Sequence, residues 1–264
     1  MRRAWMVILL AIGLAACAPG GSPVSQMAED AAAPVSERIE WNRSPDAVIF
    51  RVDSGTTGGD PASIRNAVPL CTIFGDGHIV WVNPGIMPEE VLEDRLDEAT
   101  IRAFLEEVVL AGFYHWEPQI IGTPAPAGGS LLREYILLAL FGEPHVVTAD
   151  SNWPPNAFAD LLARCRGLST TPVLYVPTGA WVSAMPVPEE IHLPAISWAG
   201  YAVRFPDVRL ADIPPERPRW ATGDLAAAAW NLARQGRLHI REEGILYRLL
   251  VEVPGLQPAA PAAP

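Results

Sequence analysis

An α+β fold, with antiparallel β-hairpins forming a sheet packed with about three helices, is predicted by three features of this 264-residue chain. Short runs rich in β-branched and aromatic residues are separated by turn signals centred on glycine and proline. Three longer segments repeat their apolar residues at three- and four-residue spacing instead. Half of the residues are apolar and 19% are charged, enough for a proper core and too apolar for disorder.

The clearest strand signal is Val68-Pro-Leu-Cys-Thr-Ile-Phe-Gly-Asp-Gly-His-Ile-Val-Trp-Val-Asn83. Two apolar runs flank Gly75-Asp76-Gly77, and Gly77 can take a positive φ without a Cβ clash. Both runs carry large side chains on both faces, which predicts an interior hairpin covered on two sides. Ile39–Trp41 and Ala47–Val52 before it also read as strands, and Ser54–Ala62 reads as a surface loop. That loop lacks the Gly-Lys-Ser/Thr and G-x-G-x-x-G patterns of a phosphate cradle.

Glu90–Leu96 reads as a further strand. Asp97 caps a helix to about Ala111, stopped by Gly112, with Ile101, Leu105, Val108 and Val109 on one face. Leu131–Phe141 and His145–Thr148 form a second hairpin around Gly142-Glu143-Pro144. Asn156 or a neighbour opens a helix to about Arg166, its apolar side formed by Phe158, Leu161, Leu162 and Cys165. Pro172–Val176 and Ala180–Met185 read as strands. Residues 189–219 are rich in proline and form an irregular meander packed by Trp198, Tyr201 and Phe205. Thr222 caps the third helix, Gly223–Arg234, and strands follow at Arg237–Arg241 and Ile245–Val253. The boundaries are therefore 1–16 signal peptide, 17–36 tether, 37–253 folded domain and 254–264 a disordered Pro/Ala tail.

Phe74-Gly-Asp-Gly-His-Ile-Val80 aligns with Phe141-Gly-Glu-Pro-His-Val-Val147, and a helix follows each. The match admits a duplicated hairpin–helix unit or two turns selected independently.

Composition excludes several chemistries. All 19 basic residues are arginine, so Schiff bases, the P-loop lysine and Ser-x-x-Lys acylation are ruled out. Net charge is −11; loss of Arg2 and Arg3 with the leader leaves 17 arginines against 30 acids, or −13. Such a surface repels polyanions, so nucleic acid is not an expected partner. The histidines show no H-x-H or H-E-x-x-H pattern and the cysteines no C-x-x-C, so no metal or cofactor site is assigned. His78 and His145 follow the two turns and would meet only if the hairpins lay side by side. There is no G-x-S-x-G elbow, and Glu89/Glu90, Glu106/Glu107, Glu189/Glu190 and Glu242/Glu243 read as solvated acids. No catalytic residue is assigned.

Met1-Arg2-Arg3, the apolar run Ala4–Leu14 and Leu14-Ala15-Ala16-Cys17 stand in the order of an export leader. They resemble the lipobox of bacterial lipoproteins. The resemblance implies that Cys17 receives a diacylglyceryl group, becomes the mature N-terminus and ties the chain to the envelope membrane. Ala18 rather than Asp after the cysteine implies the outer membrane in a two-membrane host. Residues 45–185, through Leu70-x-Thr72-x-Phe74-Gly-Asp-Gly-His-Ile-Val80, also resemble a group of uncharacterised exported proteins of GC-rich bacteria. No activity carries over from that group.

Once Cys17 is lipidated, Cys71 and Cys165 are the two remaining thiols of an exported chain. Their even number and an oxidising compartment favour a disulfide; the other reading is two separate buried thiols. The expected function is a membrane-tethered extracytoplasmic interaction or envelope module, with an envelope protein as its partner. The alternative is an exported hydrolase acting on an envelope polymer or small molecule.

Overall fold

The computed structural model describes residues 39–56, 60–86, 88–120, 132–141, 143–150, 157–188, 195–199, 205–235, 239–258 and 260–264. The predicted lipobox, Asn156, Glu189/Glu190, Tyr201 and Arg237 lie outside them.

The strands of the first sheet are β1 (Val48–Thr56), β2 (Cys71–Phe74), β3 (His78–Asn83), β4 (Glu90–Arg95), β5 (Gln119–Ile120), β6 (Leu132–Leu140), β7 (Glu143–Ala149) and β8 (Val173–Leu174). Their order is β5-β7-β6-β1-β2-β3-β4-β8, antiparallel throughout except for β5 with β7. The second sheet holds β9 (Gly179–Val187), β10 (Ala195–Ser197), β11 (Arg219–Thr222), β12 (His239–Glu242) and β13 (Ile245–Glu252), in the order β10-β12-β13-β9-β11. Four α-helices accompany them among the described residues: α1 (Pro61–Asn66), α2 (Glu98–Leu110), α3 (Ala157–Arg166) and α4 (Gly223–Arg234). The class is α+β. The fourth helix is α1, inside and beyond the stretch read as loop. Asp60 caps it by accepting the Ser63 amide, and Pro61 opens it.

The β2–β3 hairpin is interior, with Cys71–Phe74 and Ile79–Val82 all buried. One face of the sheet packs on α2 and α3: Phe50, Val52, Cys71, Ile73, Ile79 and Trp81 meet Phe104, Leu105, Val108 and Leu161. The opposite face carries Phe74, Val80, Val82 and Val91, which join α4 and the second sheet in another core around Trp230. A bulge between Val48 and Phe50 explains why Ile49 and Phe50 both face the helices. Gly75 is required because Ile39–Ala47 crosses the turn. A Cβ there would sit 1.9 Å from the Asn42 carbonyl oxygen. Ile39 and Trp41 are buried but form no strand; the Trp41 indole donates to the Gly75 carbonyl at 3.1 Å.

The two similar turns are not equivalent. Phe74 is buried at the end of β2, whereas Phe141 is exposed in the turn itself at φ +57°. In the first hairpin His78 opens β3, but in the second Leu140 already pairs with Glu143, two residues before His145. The sequence match therefore spans two different turn geometries.

The C-terminal stretch is a further departure from expectation. Leu256 and Gln257 are buried, and the Arg51 guanidinium donates to the carbonyls of Gly255 (2.9 Å) and Leu256 (3.1 Å). Gln257 donates to the carbonyls of Arg65 and Val251, each at 3.0 Å. Residues 254–257 thus form an ordered turn held on the sheet rather than a disordered tail. Asn66 completes this joint by treating β13 as a strand edge. Its side-chain amide donates to the Leu249 carbonyl and accepts the Val251 amide, both at 2.8 Å.

Asp94 on β4 gathers the segment before β8, accepting from the Ser169 hydroxyl at 2.6 Å and from the Thr171 amide and hydroxyl. These bonds, the Ser169 hydroxyl foremost, hold its carboxyl down at about 2. The folded state therefore favours the ionised form. Its contribution is complete above the ordinary value of 3.8 and is lost as pH falls through about 2. Asp94→Asn is expected to flatten the loss of stability between those limits, read from urea melts across that range.

Candidate functional site

Strand alternation sends Phe50 and Val52 of β1 toward the helices and Arg51 and Asp53 to the other face. On that face α1, β6 and the C-terminal turn leave a cleft of about 470 Å³. Asp53, Ser54 and Gly55 of β1 line it with Ser63, Ile64 and Arg65 of α1, Ala67, Leu132 and Tyr135 of β6, and Gln257 and Pro258. Asp53 and Tyr135 are direct register partners, so their side chains stand on the same face.

The Tyr135 hydroxyl donates to Asp53 Oδ2 at 3.3 Å, and the Ser54 amide donates to Oδ1 at 2.8 Å. Burial pushes the Asp53 carboxyl above its ordinary range; the Ser54 amide, the Tyr135 hydroxyl and the Arg51 charge offset it only in part. Burial and the neighbouring Asp53 charge push the Tyr135 phenol up to about 12. The arginines around the cleft are committed elsewhere. Arg51 binds Thr72 and the two C-terminal carbonyls, Arg65 pairs with buried Glu252, and Arg248 pairs with Asp60. Among the described residues, no cation forms an ion pair with Asp53.

The residues singled out from sequence lie elsewhere. Cys71 and Cys165 are joined by a disulfide, their Cα atoms 6.4 Å apart, in the core between β2 and α3. His78 and His145 do not meet. His78 stacks on Phe74 and hydrogen-bonds Glu93 at 2.8 Å, on the face toward the second sheet. His145 stands on the helix-covered face against Phe113 and Tyr114, with ring centroids 5.2 and 5.3 Å away. Glu89 pairs with Arg234, and Glu90 accepts from Asn83. Glu107 pairs with Arg164 on the surface, whereas Glu242 accepts the Leu210 and Ala211 amides and Glu243 pairs with Arg209. Among the described residues, no group of three or more His, Cys, Asp or Glu side chains is placed to hold a metal ion.

Asp53 and Tyr135 escaped the sequence reading because 82 positions separate them. One signal was present: in Val48-Ile-Phe-Arg-Val-Asp53, an acid continues the alternation of a strand otherwise bound for the core. Comparison with protein-family models, curated proteins and solved structures finds no match to this chain.

Proposed function

We propose that this protein is a lipid-anchored extracytoplasmic recognition module, held to the envelope membrane through Cys17, that receives a small ligand in the cleft between α1 and β6. The cleft carries this reading: it combines polar floor groups with apolar walls, the arrangement of a site that orients a ligand while burying its body. Recognition is favoured over hydrolysis because the floor pair is an acid and a phenol already bonded to each other. A carboxylate-pair hydrolase needs a second acid facing the same space, and Asp53 is the one acid among the described lining residues. The lipobox resemblance supports the anchor, and the acidic surface argues against a polyanionic partner.

Two measurements test the proposal. Cys17→Ser is expected to abolish lipid labelling and leave an uncleaved or mislocalised precursor, checked by mass spectrometry of the N-terminus. A mature N-terminus other than modified Cys17 would remove the anchor. A fragment screen followed by amide NMR is expected to perturb residues 53–55, 63–67, 132–135 and 257–258. Hits confined to other surfaces would remove the cleft.

A further inference from the structure

We infer that the cleft takes an organic amine: a protonated nitrogen on Asp53 with an apolar body against Ile64, Ala67, Leu132 and Pro258. This rests on the reading of the cleft as a binding site.

The argument begins with charge accounting. A carboxylate withdrawn from water requires a counter-charge or strong donors. Asp53 accepts one bond from its own neighbour Ser54, one long bond from Tyr135 and a weaker contact from the Leu70 amide, none of them from a cation. Arg51, on its own strand, turns its guanidinium to Thr72, Gly255 and Leu256. From α1 and its cap, Arg65 is neutralised by Glu252 and Asp60 by Arg248. Among the described residues Asp53 has no ion-pair partner and only the nearby Arg51 charge to offset its burial, so a full counter-charge is best supplied from the cleft.

The chemistry of the walls selects the kind of cation. Calcium needs six to eight oxygen ligands and magnesium keeps its octahedral water shell; one carboxylate with the neutral side chains of Ser54, Ser63, Tyr135 and Gln257, set among isoleucine, leucine, alanine and proline, suits neither. An ammonium carries three donors, enough for Asp53 and a neighbouring hydroxyl such as Ser54 or Tyr135, and its carbon body gains from the apolar rim. Ile64 is 53% exposed and Leu132 41%, so apolar surface remains for such a body to cover.

The test uses n-hexylamine, n-hexanol and hexanoate as probes of equal length, titrated into the folded protein and followed by amide NMR. Hexylamine is expected to perturb the cleft residues and to bind about tenfold or more tighter than hexanol, as a charge-assisted bond replaces a neutral one. Acidification from pH 7 through the raised Asp53 range should weaken hexylamine, which stays protonated throughout, and leave hexanol little changed. Asp53→Asn should erase the preference for the amine. Ile64→Arg, at an exposed position that folding tolerates, should weaken hexylamine by repulsion while sparing hexanol. Equal binding of hexylamine and hexanol would overturn the amine assignment while leaving the cleft a binding site. Binding of all three probes elsewhere, or of none, would overturn both.

Discussion

Replacing both Cys71 and Cys165 by alanine is expected to lower stability by about 4–5 kcal/mol, the chain-entropy value for closing a loop of this length. The two cysteines are 94 positions apart, and both are fully buried. The bridge ties β2, in the middle of the first sheet, to α3, which packs on β1 and β2. For a folded unit of this size the loss corresponds to a fall in Tm of roughly 10–20 °C. Urea melts of the wild type with and without dithiothreitol should reproduce the difference. The double variant should then be insensitive to the reductant. A wild type equally stable in both conditions would show that the bridge contributes nothing.

The other large effect is expected at Trp230. Its side chain is 2% exposed and lies where α4, the second sheet and the valines of β3 and β4 meet. The Tyr175 ring stands edge-on to it at 5.4 Å, and the Arg234 guanidinium lies 4.6 Å from its centroid. Trp230→Ala removes one of the two buried tryptophans of that core, at a cost of about 3–5 kcal/mol. It also leaves Arg234, itself 6% exposed, without its aromatic neighbour, though still bonded to Glu89 and the Asn66 carbonyl. Trp230→Phe should recover part of the loss because a ring still fills part of the volume. Equilibrium unfolding of the three proteins gives the comparison, and near-equal midpoints would count against this account of the core.

What could be read from the sequence is what local pattern determines. Asp97 accepts the Thr100 amide at 2.7 Å and opens a helix that Gly112 follows at φ +81°, both recognisable from residue type alone. The Val68–Asn83 hairpin was equally legible, because apolar residues on both faces demand two covers. Legibility failed where a contact has no local period. Helix α1 is six residues long, too short to show one, although Asp60-Pro61 carried its start signal. The second sheet was not separable from the first, since hairpins look alike wherever they pack. Residues 254–257 resemble a loose tail in composition, and contacts remote in sequence keep them in place, from Arg51, 204 positions before Gly255, and from Gln257 to the Arg65 carbonyl. The candidate cleft had the same handicap: β1, α1, β6 and the C-terminal turn each contribute a few ordinary residues, and only the register of β1 with β6 brings Asp53 to Tyr135.

The order of the second sheet carries a consequence for how the chain is made. β13 is the last of its five strands to be synthesised, yet it stands at the centre, pairing β12 on one side and β9 on the other. Until it arrives, β9 with β11 and β10 with β12 are two separate ribbons, each with an unpaired edge. At ~5–20 residues per second of elongation, β9 waits several seconds for its partner, long compared with the microseconds in which hairpins form. Whatever the order in which the first sheet pairs, the second cannot close until β13 joins its two ribbons. The exposed ladder of β9 is the surface that a holding chaperone would have to cover during that interval.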